Sequence, residues 1–262
     1  MAETWATQME TRERTDWFRS GAADDFVKSD GVQYYQELVG ILRWAVELGH
    51  VDILLETALM STHLALPRAG HLNQLYRIFG YLKLHPKRKL AFDALHPRIS
   101  EKMFKKHDWF DFYRDAQEAI PNDMPKPRGN MMTTHCFVDT SHGSDRVTRR
   151  SQTGILIFCN RALIMWHSKK QNTVEASTFG SEFQAMKNAV ELVESLQYKL
   201  RMFGIPIDGA TNIFCNNEAV YKNTSMPEST LKKKHMPSPT IGAVRPWPRV
   251  QCGWQRRVQT PT

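Results

Sequence analysis

One change of rhythm constrains this chain more than anything else in it. Between residues 134 and 167 three short runs of β-branched, aromatic and other apolar residues follow one another. They are His135-Cys136-Phe137-Val138-Asp139, Gly154-Ile155-Leu156-Ile157-Phe158-Cys159 and Ala162-Leu163-Ile164-Met165-Trp166-His167. Asn160-Arg161 between the second and third is a two-residue hairpin turn. From Thr178 to Phe203 the apolar positions Phe183, Met186, Val190, Val193, Leu196 and Leu200 recur at helical spacing, and Gly204 and Pro206 end the run. Ile213-Phe214-Cys215 is a fourth strand, and Glu218 to Asn223 a short helix. Strand, hairpin, long helix, strand is an α/β pattern. Runs this apolar predict a sheet covered on at least one face.

Upstream the period is helical. Leu38, Ile41, Leu42, Ala45 and Leu48 mark a first helix stopping at Gly49. Val51 to Leu66 marks a second, ended by Pro67, and Gly70 to Leu84 a third, ended by Pro86. Leu90-Ala91-Phe92 is a short strand candidate. The expected organisation is loop or disorder over 1–33, a small helical unit over 34–95, a Pro- and charge-rich linker over 96–132, an α/β domain over 133–235 and a disordered tail over 236–262. Trp109, Phe110, Phe112 and Tyr113 in the linker read as packing onto a neighbouring domain, with base stacking as the other use of such residues.

Composition sets the class of partner. The net charge is +8, and Leu231 to Thr262 alone holds seven Lys or Arg and no acid. That balance points to anionic partners, nucleic acid first, or else to a solvated basic surface. No apolar run reaches the roughly 18 residues a membrane span needs. The N-terminus lacks the basic-then-apolar pattern of a secretory signal, so the expectation is an intracellular site, cytoplasm or nucleus. Cys136, Cys159, Cys215 and Cys252 form no CxxC pair and read as buried thiols. There is no GxGxxG motif either, which argues against a nucleotide-cofactor or dithiol redox protein and leaves no small-molecule cofactor expected.

The topology expected from these elements brings three positions together. Asp139 ends the first strand, Glu182 is read in the first turn of the long helix, and residue 216 follows the fourth strand. Acids converging at strand ends can hold two Mg²⁺ ions about 4 Å apart, the arrangement that hydrolyses phosphodiesters. The plainer reading is a helix cap and a surface acid, because an acid in a first turn complements the helix dipole.

Phe137-Val138-Asp139, Thr148-Arg149-Arg150-Ser151-Gln152-Thr153-Gly154, Trp166-His167-Ser168-Lys169-Lys170-Gln171 and Ser177-Thr178-Phe179-Gly180-Ser181-Glu182-Phe183 occur in that order, followed by Cys215-Asn216-Asn217. This series resembles the ribonuclease H domain of copia-type (LTR) retrotransposon polyproteins. Tyr35-Gln36-Glu37-Leu38-Val39-Gly40 through His71 to Gly80-Tyr81-Leu82-Lys83 resembles the end of the same family's reverse transcriptase region. The resemblance implies a five-stranded mixed sheet flanked by helices, and Mg²⁺-dependent cutting of the RNA strand of an RNA–DNA hybrid. Asp139 and Glu182 match the family's first catalytic Asp and its catalytic Glu, both metal ligands. Lys169, Lys170, Arg149 and Arg150 would contact nucleic acid, the lysines as point charges on phosphate or simply as a basic loop.

The chain departs from the family in three places. Asn216 stands where the family has a catalytic Asp, so a neutral amide replaces one negative charge. After Leu231-Lys232-Lys233-Lys234-His235 the family's last strand and fourth acid are replaced by Pro-rich, acid-free sequence, which reads as a frameshifted tail. The last strand is therefore expected to be missing and the fourth strand to be a bare edge. The Tyr-x-Asp-Asp polymerase motif is absent. These departures imply a crippled nuclease, or a remnant that at most binds nucleic acid.

Overall fold

The structure, a computed structural model, describes residues 29–99, 121–225 and 250–254. The aromatic cluster at 109–113 and the basic run at 232–234 lie outside the described residues. The chain divides into two compact units after Leu90.

The first unit is helical. α1 (Ser29–Glu47) starts five residues before the helical unit read from 34. Its buried side carries Tyr35, Val39, Leu42 and Val46, which is the helical repeat at work. The Tyr35 hydroxyl donates to the Met60 carbonyl at 2.9 Å and ties α1 to α2 (Leu54–Met60). The second helix expected from Val51 to Leu66 is broken into a 3₁₀ turn, α2 and another 3₁₀ turn, Ser61–His63. α3 (Ala69–Leu84) buries Leu75 and Ile78. Gly49, at φ 116°, lets the chain leave α1, and any side chain there would press on Leu90 at 3.2 Å. Leu90 is thus a packing residue, and 90–92 forms no strand.

The second unit is a sheet with one long helix on it. β1 (Thr134–Ser141), β2 (Gln152–Cys159) and β3 (Ala162–Lys170) form an antiparallel meander. α4 (Thr178–Met202) then crosses over, and β4 (Thr211–Cys215) pairs parallel with β1. α5 (Glu218–Ser225) follows. The strand order is β3-β2-β1-β4-β5. This mixed sheet with flanking helices is a ribonuclease H-like α/β fold. α4 buries Phe183, Met186, Val190, Val193, Leu196 and Leu200 against Cys136, Val138, Ile155, Ile157 and Ile213. The other sheet face carries stacked rings, Phe137 on Phe214 at 4.9 Å and His135 on Phe158 at 5.2 Å. Cys136, Cys159 and Cys215 are buried thiols.

Two expectations are corrected here, and the expected hairpin turn is met. A fifth strand exists: β5 (Val250–Trp254) pairs parallel with β4 over its whole length, so β4 is not a bare edge. Backbone hydrogen bonds form such a strand, and they need no apolar period in the tail. Part of the linker belongs to the domain: Arg128 N donates to the Gly204 carbonyl at 2.8 Å and Met132 N to that of Pro206 at 2.9 Å. The hairpin turn does more than turn. Asn160, at φ 52°, accepts from Thr133 N at 2.9 Å and donates to the Ala94 carbonyl at 2.9 Å, while Arg161 pairs with Asp93 at 3.1 Å.

α4 begins at a serine cap. Ser177 Oγ accepts from Gly180 N at 3.2 Å, satisfying one of the helix's open donors. Ser177→Ala is expected to cost about 1 kcal/mol in urea denaturation.

Candidate active site

Parallel pairing of β1 with β4 puts both carboxyl ends at one edge of the sheet. Phe137 faces Phe214, so two residues further on each strand Asp139 comes opposite Asn216. The Asn216 Nδ2 donates to Asp139 Oδ1 at 3.1 Å, and the same oxygen accepts from Thr140 N at 2.8 Å. Both side chains are exposed at the mouth of the site.

Glu182 comes from α4. It lies just past the first turn, not in it, so complementing the helix terminus does not account for a carboxyl there. It is buried, and its Oε2 has no hydrogen-bond partner. Burial, and then the negative charge of Asp139, push its carboxyl up to about 7. The structure therefore brings Asp139, Glu182 and Asn216 together.

Ser181 fixes the turn that carries Glu182. Its carbonyl accepts from Gln171 Nε2 at 2.9 Å, and its hydroxyl meets His142 Nδ1 at 3.2 Å. Gln171 also donates to Thr153 Oγ1 at 3.0 Å. Sequence reasoning gave Gln171, Ser181 and His142 no role, although the first two sit inside the motifs that carry the resemblance.

The four basic residues separate into two kinds. Lys170 Nζ lies 2.8 Å from Asp145. Asp145 also accepts from Val147 N, Thr148 N and Thr148 Oγ1, and it pins the β1–β2 loop. Burial opposes ionisation of Asp145, but these bonds prevail and hold its carboxyl well below the usual range. Arg149 protrudes from that loop at φ 57°, a left-handed backbone that costs energy outside glycine and is held by Arg149 N donating to the Asp145 carbonyl at 2.7 Å. Arg150 is half-buried and Lys169 exposed. Lys170→Ala is expected to lower stability by about 1 kcal/mol, and Lys169→Ala to leave it within about 0.5 kcal/mol, in parallel urea melts.

The donor set does not fit a pair of divalent ions. Among the described residues no group of three His, Cys, Asp or Glu side chains is placed to hold a metal. Two carboxylates stand where the resemblance implies at least three, and the amide at 216 offers a hydrogen to the oxygen a metal would need. Among the described residues no helix is long and apolar enough to cross a membrane.

No protein-family model matches the chain. It is 24% identical over 109 residues, 42% of its length, to the retrovirus-related Pol polyprotein from transposon RE1 of Arabidopsis thaliana. The polyprotein from transposon RE2 of the same plant matches equally, at 24% over 109 residues. The chain spans only 7% and 8% of the length of these two relatives. Among solved structures it is similar to the N-terminal RNase H domain of a Mycobacterium tuberculosis protein, at 8% identity and TM-score 0.37, over 49% of this chain and 85% of that one. RNase H1 from Halobacterium salinarum gives 11% identity and TM-score 0.33, over 48% and 86%. Over part of its length the chain is thus similar to retrotransposon Pol polyproteins, and the strand order of its second unit is that of a ribonuclease H-like fold.

Proposed function

We propose that the second unit is a copia-type retrotransposon ribonuclease H-like domain. Its inherited reaction is hydrolysis of the RNA strand of RNA–DNA hybrids with Mg²⁺, and that reaction is crippled in this chain. The observation that carries the reading is the Asn216–Asp139 hydrogen bond. It supports a common site for the two positions, and it puts an amide N–H where a third carboxylate would face the same ion. Asp139 and Glu182 remain the acidic members of the site. Lys169, Arg149 and Arg150 keep a basic surface beside it that suits phosphate backbones. Binding of nucleic acid therefore outlasts cleavage.

The test is cleavage of an end-labelled RNA–DNA hybrid in Mg²⁺, beside a gel-shift titration with the same hybrid. Slow or no cleavage with salt-sensitive binding is the expected result. Efficient cutting that survives Asp139→Asn would show that the site is elsewhere.

A further inference from the structure

A pocket of about 490 Å³ opens between the edge strand β3 and the first half of α4. That volume is in the range of small-molecule sites. His167 and Lys169 line it from β3, Gln171 from the turn that follows, and Gln184 and Asn188 from successive turns of α4. The site assigned above uses none of these except Lys169, and Gln171 only as a brace.

The lining is an array of hydrogen-bonding groups with one open cation. Lys170 is paired with Asp145, and Glu191 at the rim faces Lys187 at 3.8 Å. Lys169 has no ion pair among the described residues. Gln184 Nε2 donates to Asn188 Oδ1 at 3.1 Å. This bond sets the two amides in register and leaves Gln184 an acceptor oxygen and Asn188 its donor nitrogen. Burial and the neighbouring Lys169 hold His167 below its ordinary range, so its ring offers one donor and one acceptor.

Gln171 decides the chemistry. It is only 5% exposed, and both its bonds run from Nε2. Ser181's carbonyl can only accept, so the amide orientation is fixed and Oε1 is the unpaired atom, buried without a partner. A buried acceptor calls for an N–H or O–H donor. A backbone phosphodiester brings none, but a nucleobase edge presents amino or imino N–H beside ring acceptors. We propose that this pocket takes one unpaired nucleotide, its base edge against the Gln171, Gln184 and Asn188 amides and its phosphate at Lys169. Strand ends and unpaired bases are the forms that enter at least cost, because a paired base must first be unstacked. The proposal rests on the nucleic-acid reading above and names a second place where nucleic acid is held. Through Ser181, Gln171 also joins this pocket to the turn that carries Glu182.

The experiment is calorimetric titration of the full chain with the four ribonucleoside 5′-monophosphates, ribose 5-phosphate and inorganic phosphate. At least one nucleotide is expected to bind with a millimolar or tighter Kd, and ribose 5-phosphate and phosphate at least about tenfold more weakly. Asn188→Ala and Lys169→Ala should each weaken the nucleotide by about fivefold or more, with Gln184→Ala as a third probe and melting temperature as the check on folding. The proposal is overturned if no nucleotide binds at about 10 mM. It is also overturned if phosphate binds as tightly as the nucleotides, or if every folded variant binds like the parent. Hybrid binding without nucleotide binding would sink this pocket and leave the domain's function standing. Nucleotide binding without hybrid binding would do the reverse.

Discussion

Asn216→Asp is expected to raise the rate of hybrid cleavage in Mg²⁺ by about two to three orders of magnitude, the scale on which single active-site groups act. The substitution is nearly isosteric. It turns the donor that now occupies Asp139 Oδ1 into an acceptor and adds a negative charge to the edge where β1 and β4 end. The same change has a signature that needs no turnover. Without divalent ions three carboxyls would crowd one edge, so the variant should melt below the parent at pH 8. Added Mg²⁺ should restore the loss in the variant while moving the parent little, because ligand binding stabilises only the state that binds it. If the variant neither cuts faster nor gains melting temperature from Mg²⁺, the amide at 216 is not what limits the site.

Glu182→Gln should stabilise the fold at pH 8 by about 2 to 3 kcal/mol and flatten its pH dependence. Glu182 has its carboxyl raised to about 7 from an ordinary 4.5. Between those values the folded chain binds more protons than the unfolded one, so stability falls as pH rises through that window and the loss is complete above it. That difference corresponds to roughly 3 kcal/mol. The physical reason is a buried carboxylate with an orphaned oxygen facing another negative charge. Chemical denaturation at half-unit steps from pH 4 to 8 would check it. A parent whose stability is flat across that range would contradict the assigned environment of Glu182. Both substitutions act at one corner of the sheet, one on charge geometry and one on burial, so their double variant should not be additive.

The elements that repeat were readable from the residues. The stripe from Phe183 to Leu200 fixes the register of α4 on the sheet, and its six positions are all buried. Alternation placed Cys136 and Val138 on the helix side. What periodicity cannot carry is pairing. Nothing in the letters distinguishes Lys169 from Lys170, yet strand alternation sends one to solvent and the other to Asp145, 25 residues away. Asn160 looked like a turn residue and is one. Its ties to Thr133 and Ala94 depend on chain segments that only the fold brings near. Glu182 was placed one turn too early because an acid near a helix start has an easy local explanation. β5 was missed because five residues containing Gln251 and Gly253 show no apolar rhythm, and the strand is specified by the open edge of β4.

β5 also sets a condition on how the domain is made. Thr211 pairs with Val250, thirty-nine residues later, so the last ladder of the sheet joins segments far apart in the chain. A chain emerging from the ribosome can assemble the meander, α4 and β4 while Trp254 is still unsynthesised. During that interval the rim of β4 is an open template, and a chaperone or a second nascent copy would meet the same unpaired amides that β5 later covers.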